Sequence, residues 1–375
     1  MTTVGSLTPQ TRQRRLTQFV IKPTVFCYHR CPYCDLRQNY YDGIVQDRKN
    51  TLKLAAGPGA RITNPGHMPR DLALRLVEEA AQAGMQELQL SGGDPLLYPH
   101  LLEVITAAKA HPGVFVLMNS VGTGVTVERA RAIIEAGLGA WNFSIDTLDP
   151  DLYEQLRGVR GALPTILDAF HTVREAGRVF PGFRTNFMSV ITRQNFRGLP
   201  DVFDYAVAED VASVYLMNVY GDTTGASLLT ISEIEEFRAE TVPAILAVLE
   251  RRGCADVVQR NAADVLATFF SADNTDANYA QGVYWPTMAS AKSACHLPDF
   301  YALVEPDGRV LPCCMVEISH EGEVGSVVDE SLAHVLGGPA HQRFDTDRIP
   351  FCQRCPSPRN RTVGLVPHMC RQFRD

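Results

Sequence analysis

The chain has 375 residues, 45% hydrophobic and 21% charged, with a formal net charge of −7. That composition is ordinary for a folded protein, and the length predicts one large domain plus a smaller one. The negative charge speaks against a nucleic-acid partner, and no apolar run approaches the ~20 residues that a membrane span needs.

The N-terminal stretch Met1 to Gln18 is polar, without the apolar core of a secretory signal, so a cytoplasmic protein is expected. Arg12, Arg14 and Arg15 read as a solvated arm. Phe19–Phe26 reads as a strand. Residues 35–69, rich in Gly, Pro and Asn, read as an irregular insertion. Residues 71–83 carry Leu72, Leu76, Val77 and Ala80 on one helical face, with Gly84 as a stop. A strand over 85–90, a helix over 101–110 and a strand over 114–118 follow. Thr126 caps a helix over 126–136 that Gly137 ends. Such alternation predicts a parallel sheet with helices outside, open or rolled into a barrel.

The fourth strand, Trp141 to Asp146, alternates strictly. Trp141, Phe143 and Ile145 share one face; Asn142, Ser144 and Asp146 share the other. A buried parallel strand is normally apolar on both faces, so this polar face predicts the wall of a ligand cavity. Beyond Tyr220 the sequence predicts helices over 232–252 and 262–270, and then a polar stretch with Tyr279, Tyr284 and Trp285.

Ten cysteines in a reducing compartment point to metal rather than disulfides. Cys27, Cys31 and Cys34 form a C-x3-C-x2-C run at the end of the first strand. Three thiolates leave one iron of a four-iron cube open for an outside ligand. A zinc site would instead need a fourth ligand, and His29 is poorly spaced for that role.

The triplet, with aromatic Tyr33 before its third cysteine, resembles the radical S-adenosylmethionine (SAM) superfamily. Ser91-Gly92-Gly93-Asp94-Pro95 stands where that family carries Gly-Gly-Glu-Pro, whose backbone meets the methionine amino group; Asp94 departs from Glu but keeps the carboxylate. Asn119 resembles the family's Thr-Asn-Gly region, and Ser144 and Asp146 its Ser-x-Asp pattern. Arg157 fits an arginine that pairs with the SAM carboxylate. A sixth strand over 215–219, with Met217, would give adenine apolar contact. The resemblance spans residues 17–220. It implies an α/β fold, a partial (β/α)6 barrel, with SAM at the C-terminal ends of the strands. It also implies reductive cleavage of SAM, abstraction of a substrate hydrogen atom, and a flavodoxin- or ferredoxin-type electron donor.

Downstream, Cys295, Gly308, Cys313, Cys352 and Cys355 resemble the auxiliary-cluster domains called SPASM and, in shortened form, twitch. Val304 to Cys313 reads as a β-hairpin turning at Asp307-Gly308. The resemblance implies an auxiliary [4Fe–4S] cluster held by Cys295, Cys313, Cys352 and Cys355. A second auxiliary cluster using Cys314 and Cys370, or a zinc ribbon, stays open. Cys254 reads as an ordinary thiol. Cys314 is either a small buried hydrophobe or a hydrogen donor of the kind that radical epimerases use. The expected division is a barrel over 1–222, a helical connector over 223–290 and the cluster domain over 291–375.

About 26 residues precede the first cysteine, which is short for a peptide-recognition domain. The expectation is therefore a small-molecule substrate, or a peptide recruited by a separate partner. Twitch architecture with a small substrate resembles the dehydrogenases and epimerases of antibiotic pathways, and that resemblance implies oxidation of a secondary alcohol carbon of a sugar or aminocyclitol. Epimerisation of a similar carbon and maturation of a ribosomal peptide are the alternatives.

Overall fold

The structure is a computed structural model that describes residues 15–34, 44–46, 52–54, 66–217, 219, 225–252, 297–314, 322–342 and 344. The chain alternates β1 (Gln18–Thr24), α1 (Arg70–Gln82), β4 (Glu87–Gly92), α2 (Leu101–Lys109), β5 (Phe115–Ser120), α3 (Val127–Glu135) and β6 (Leu138–Ser144). It continues with α4 (Pro150–Arg157), α5 (Ala162–Gly177), β7 (Arg184–Val190), α6 (Leu199–Ala208) and β8 (Ser213–Met217). Strands β1, β4, β5, β6, β7 and β8 pair side by side in that order, all parallel. No pairing closes β8 onto the opposite edge among the described residues, so the six form the expected partial barrel.

The insertion departs from its expectation. Residues 35–69 are not wholly irregular: β2 (Ile44–Gln46) and β3 (Leu52–Leu54) form a short antiparallel hairpin. Gly66 and Met68 then bond back to β1, with Val25 N donating to Gly66 O at 2.9 Å and Met68 N to Pro23 O at 2.8 Å.

Helix α7 (Ile231–Glu236), a π-turn over Phe237–Thr241 and α8 (Val242–Arg251) realise the helix expected over 232–252. They pack a second apolar cluster, including Phe196, Phe203, Phe237 and Ile245, against α6. The helix expected over 262–270, and Tyr279, Tyr284 and Trp285, lie outside the described residues.

The predicted hairpin forms as β9 (Tyr301–Val304) and β10 (Arg309–Leu311), with Gly308 at φ +85° in its turn. Strand β9 pairs parallel to β1, from Gln18 opposite Tyr301 to Ile21 opposite Val304. The hairpin therefore widens the barrel sheet, and β11 (Gly325–Ser326) adds to its far side. Ala302, Val304 and Val310, with Leu332 and Val335 of α9 (Leu332–Gly337), belong to the same buried core as Phe19, Leu88 and Trp141.

Period-two alternation decides which residues enter that core. Phe19, Ile21, Leu88, Leu90, Val116, Met118, Trp141 and Phe143 face the helices. Trp141 stacks on Phe143 at 5.4 Å between centroids. The polar residues between them face the inner side. There an amide ladder crosses four strands. Asn186 donates to Asn142 and Asn142 to Asn119, both at 2.8 Å, and Asn119 donates to Ser91 Oγ at 3.3 Å. The polar face read from the fourth strand is thus one step of a continuous row.

Candidate cofactor site

The cysteine loop follows β1 directly. Gly93 N donates to Thr24 O at 2.8 Å and Asp94 N to Phe26 O at 2.6 Å, which fixes the end of β4 against the start of the loop. Only glycine permits this approach. A Cβ on Gly93 would sit 2.1 Å from Phe26 O, and one on Gly92 would sit 2.9 Å from Thr24 O. The Gly-Gly pair serves here as the point where two backbones meet.

Asp94 is buried. Its Oδ1 accepts from Ser120 Oγ at 2.7 Å and from Leu96 N at 3.0 Å, capping the turn Pro95–Leu97. Its Oδ2 has no partner among the described residues. Burial pushes its pKa up to about 6, against the pull of those hydrogen bonds.

Across the loop, Asp146 is fully buried just past β6. Its Oδ1 accepts from Val190 N at 2.9 Å, and its Oδ2 accepts from Tyr33 OH at 2.7 Å. Arg157, at the end of α4, places Nη2 2.6 Å from the same Oδ2 and donates through Nη1 to Cys31 Sγ at 3.6 Å. Its guanidinium lies 5.7 Å from the Tyr153 ring centre. Its Nε has no partner among the described residues. Gly158, at φ +65°, ends α4 so closely on the loop that a Cβ there would sit 2.6 Å from Arg30 O.

Burial pushes the Cys27 thiol up to about 12, helped by the charges of Asp94 and Cys31, and burial also raises Cys31. Thiols this desolvated become thiolates only beside a metal's charge. Burial and the nearby Arg157 charge pull His29 down to about 3, so its ring is neutral.

Ser144 ends β6, and its carbonyl accepts from Tyr153 OH at 2.8 Å. Met217 ends β8, where its carbonyl accepts from Ile191 N at 2.8 Å. Cys27, Cys31, Cys34, Tyr33, Gly92, Gly93, Asp94, Ser144, Asp146, Arg157 and Met217 therefore gather at the C-terminal ends of the parallel strands, with Asn119 in the ladder at the same edge. That edge is where sites in parallel α/β folds lie.

Cys313 is buried and Cys314 half-buried. Strand β10 runs antiparallel to β9, so both follow it towards the edge where β1 begins, away from Cys27. Cys295, Cys352, Cys355, Cys370 and Cys254 lie outside the described residues.

Sequence reasoning missed Asn186, the end of the ladder, and a buried ion pair between Lys22 and Glu305 at 3.3 Å. Lys22 stands alone as a charge in an apolar strand, QFVIKPT, and that oddity was the available signal.

The residues fit a ligand carrying both an ammonium and a carboxylate: Asp94 Oδ2 is an unused buried acceptor and Arg157 Nε an unused buried donor. A partial (β/α)6 barrel with three thiols beyond its first strand is the frame of an iron–sulfur enzyme. A profile of the radical SAM superfamily matches residues 21–206, and one for an iron–sulfur cluster-binding domain, SPASM, matches residues 295–356. The chain belongs to the radical SAM superfamily and carries a C-terminal SPASM domain. Its cofactors are SAM, a SAM-binding [4Fe–4S] cluster and auxiliary [4Fe–4S] iron in the C-terminal domain.

The chain is similar to a PqqA peptide cyclase of Granulibacter bethesdensis, 26% identical over 308 residues, covering 80% of this chain and 74% of that protein. It is also similar to an AdoMet-dependent heme synthase of Oleidesulfovibrio alaskensis, 27% identical over 46% of this chain and 44% of that protein. The chain thus spans about three quarters of one relative and under half of the other. The SAM-bound SuiB of Streptococcus suis shares the fold, with a TM-score of 0.60 at 14% identity over 92% of this chain and 72% of that one. Among the described residues no helix is long and apolar enough to cross a membrane.

Proposed function

We propose that this radical SAM enzyme modifies a ribosomally made peptide. The observation that carries the reading is the 308-residue likeness to a PqqA peptide cyclase, which reaches well beyond the barrel match at 21–206. That likeness supports the peptide alternative better than the sugar or aminocyclitol expected from the short stretch before Cys27 and the twitch resemblance.

Cys27, Cys31 and Cys34 hold the SAM-binding cluster, and Cys313 with Cys295, Cys352 and Cys355 holds an auxiliary one. Asp94 and Arg157 take the ammonium and carboxylate of SAM, and the backbone of Gly92 and Gly93 lines the same end. When bound, SAM and the cluster supply the one-electron chemistry that removes a hydrogen atom from an unactivated carbon. The chain's own part is to orient and to exclude water. Ser91, Asn119, Asn142 and Asn186 give the inner face a row of fixed dipoles, and the buried Lys22–Glu305 pair ties the SPASM hairpin to β1.

The test uses the anaerobically reconstituted full chain, SAM and dithionite, with synthetic candidate precursor peptides in one arm and an aminocyclitol in another. The expected result is deoxyadenosine formation stimulated by a peptide, together with a mass change in that peptide. Turnover with the aminocyclitol and none with the peptides would restore the small-molecule reading.

A further inference from the structure

Arg157 makes more contacts than a carboxylate clamp requires. One guanidinium nitrogen donates to the sulfur of Cys31 at 3.6 Å and another lies 2.6 Å from Asp146. The arginine side chain is 7% exposed and the aspartate side chain 0%. We propose that Arg157 and Asp146 set the reduction potential of the cluster held by Cys27, Cys31 and Cys34, Arg157 raising it and Asp146 holding it back. The proposal concerns the cluster itself and stands whether or not the substrate is a peptide.

The physical case begins with charge. Reducing a cluster adds one negative charge to it. A hydrogen bond donated to a ligand sulfur and a nearby cation both favour the reduced form, whereas a nearby anion opposes it. At an exposed site water would screen both. Here both groups are sealed from water, so their charges act with little screening.

The pair is also held rigidly. Asp146 is fixed by Val190 N and by the Tyr33 hydroxyl, one residue before Cys34. Arg157 is fixed at its backbone, where its carbonyl accepts from Arg30 N at 2.8 Å. The tight αL end at Gly158 makes that contact possible. Fixed dipoles and charges need little reorganisation when an electron arrives.

The test is an EPR-monitored redox titration of the reconstituted full chain without SAM. The Cys27/Cys31/Cys34→Ala triple variant, which keeps only auxiliary iron, supplies the baseline. Arg157→Met should shift the barrel cluster to a more negative potential, and Arg157→Lys should shift it the same way by less. Asp146→Asn should shift it to a more positive potential, with iron content unchanged in each variant. Where Arg157→Met loses iron, Arg157→Lys and Asp146→Asn carry the test through their opposite signs. A purely structural role would move all variants the same way or not at all, and either result overturns the proposal.

Discussion

The two cysteine-bearing ends of the sheet are built in opposite styles. At the C-terminal edge of the barrel, the loop from Cys27 to Cys34 is surrounded by buried charge: Asp94, Asp146 and Arg157, contributed by the segments after β4 and β6 and by the end of α4. At the other end Cys313 follows a hairpin whose residues Tyr301, Ala302, Leu303, Val304, Val310 and Leu311 are all buried and almost wholly apolar. The first end keeps an acceptor, Asp94 Oδ2, and a donor, Arg157 Nε, that have no partner among the described residues. The second end packs like ordinary core. The two are joined by β1, which leads into the cysteine loop at its end and pairs with β9 along its side. The buried Lys22–Glu305 pair links the two styles.

The largest expected effect removes one end and spares the other. Reconstituted wild-type chain should hold about eight irons, as two four-iron clusters. The Cys27/Cys31/Cys34→Ala variant should hold about four and lose SAM cleavage entirely. A wild-type value near four would remove the auxiliary cluster, and one near twelve would add a second.

Breaking the link comes next. Lys22→Met removes a cation 3.3 Å from the buried Glu305 carboxylate and should cost about 3–5 kcal/mol of unfolding free energy. Replacing both residues with methionine should recover much of that loss, measurable by urea denaturation of the apo-protein. Equal losses in the single and double variants would show that the pair does not act as a unit.

How much of this was legible depends on distance along the chain. Cys27, Cys31 and Cys34, the Gly92-Gly93 pair and the cap at Thr126 are local patterns, and each stands where its spacing placed it; Thr126 Oγ1 does accept from Arg129 N. Boundaries slipped where glycine hides a strand. Strand β6 begins at Leu138, before the alternation becomes readable, because Gly139 lies where a Cβ would press 2.4 Å from the Phe115 ring. Long-range pairings left no trace. Nothing in QFVIKPT names YALV as its neighbour, and the lone charge at Lys22, odd in that strand, does not point to Glu305 until β9 lies beside β1. Arg157 was legible as a ligand-facing base, but its contacts with Asp146 and Cys31 depend on how α4 meets the loop.

A smaller effect tests the buried acid at the charged end. The Asp94 carboxyl is raised from its ordinary 3.8 to about 6 in the folded chain. Between those values the unfolded chain has lost the proton that the folded chain still holds, so apo-protein stability should fall as pH rises from about 4 to 6 and then level off. Asp94→Asn should remove that slope. A slope unchanged in the variant would assign the pH dependence to other groups.

The smallest effect is expected at Cys314, at the apolar end. A peptide modification that withdraws electrons can pass the second one to a fully ligated auxiliary cluster, and it needs no thiol to return a hydrogen atom. Cys314→Ala should then keep iron content and turnover close to wild type, the change being one half-buried sulfur lost from a packed hairpin. An epimerising enzyme would behave differently. It must quench its radical from the opposite face, so loss of the thiol would leave deoxyadenosine formation intact while abolishing the inverted product. Solvent deuterium separates the two cases: in heavy water an epimerised product carries one deuterium in the wild type and none forms in the variant. Product of unchanged mass, deuterated and dependent on Cys314, would give the apolar end a thiol that touches substrate. The contrast between the two ends would then narrow, from one end that touches substrate to two that do.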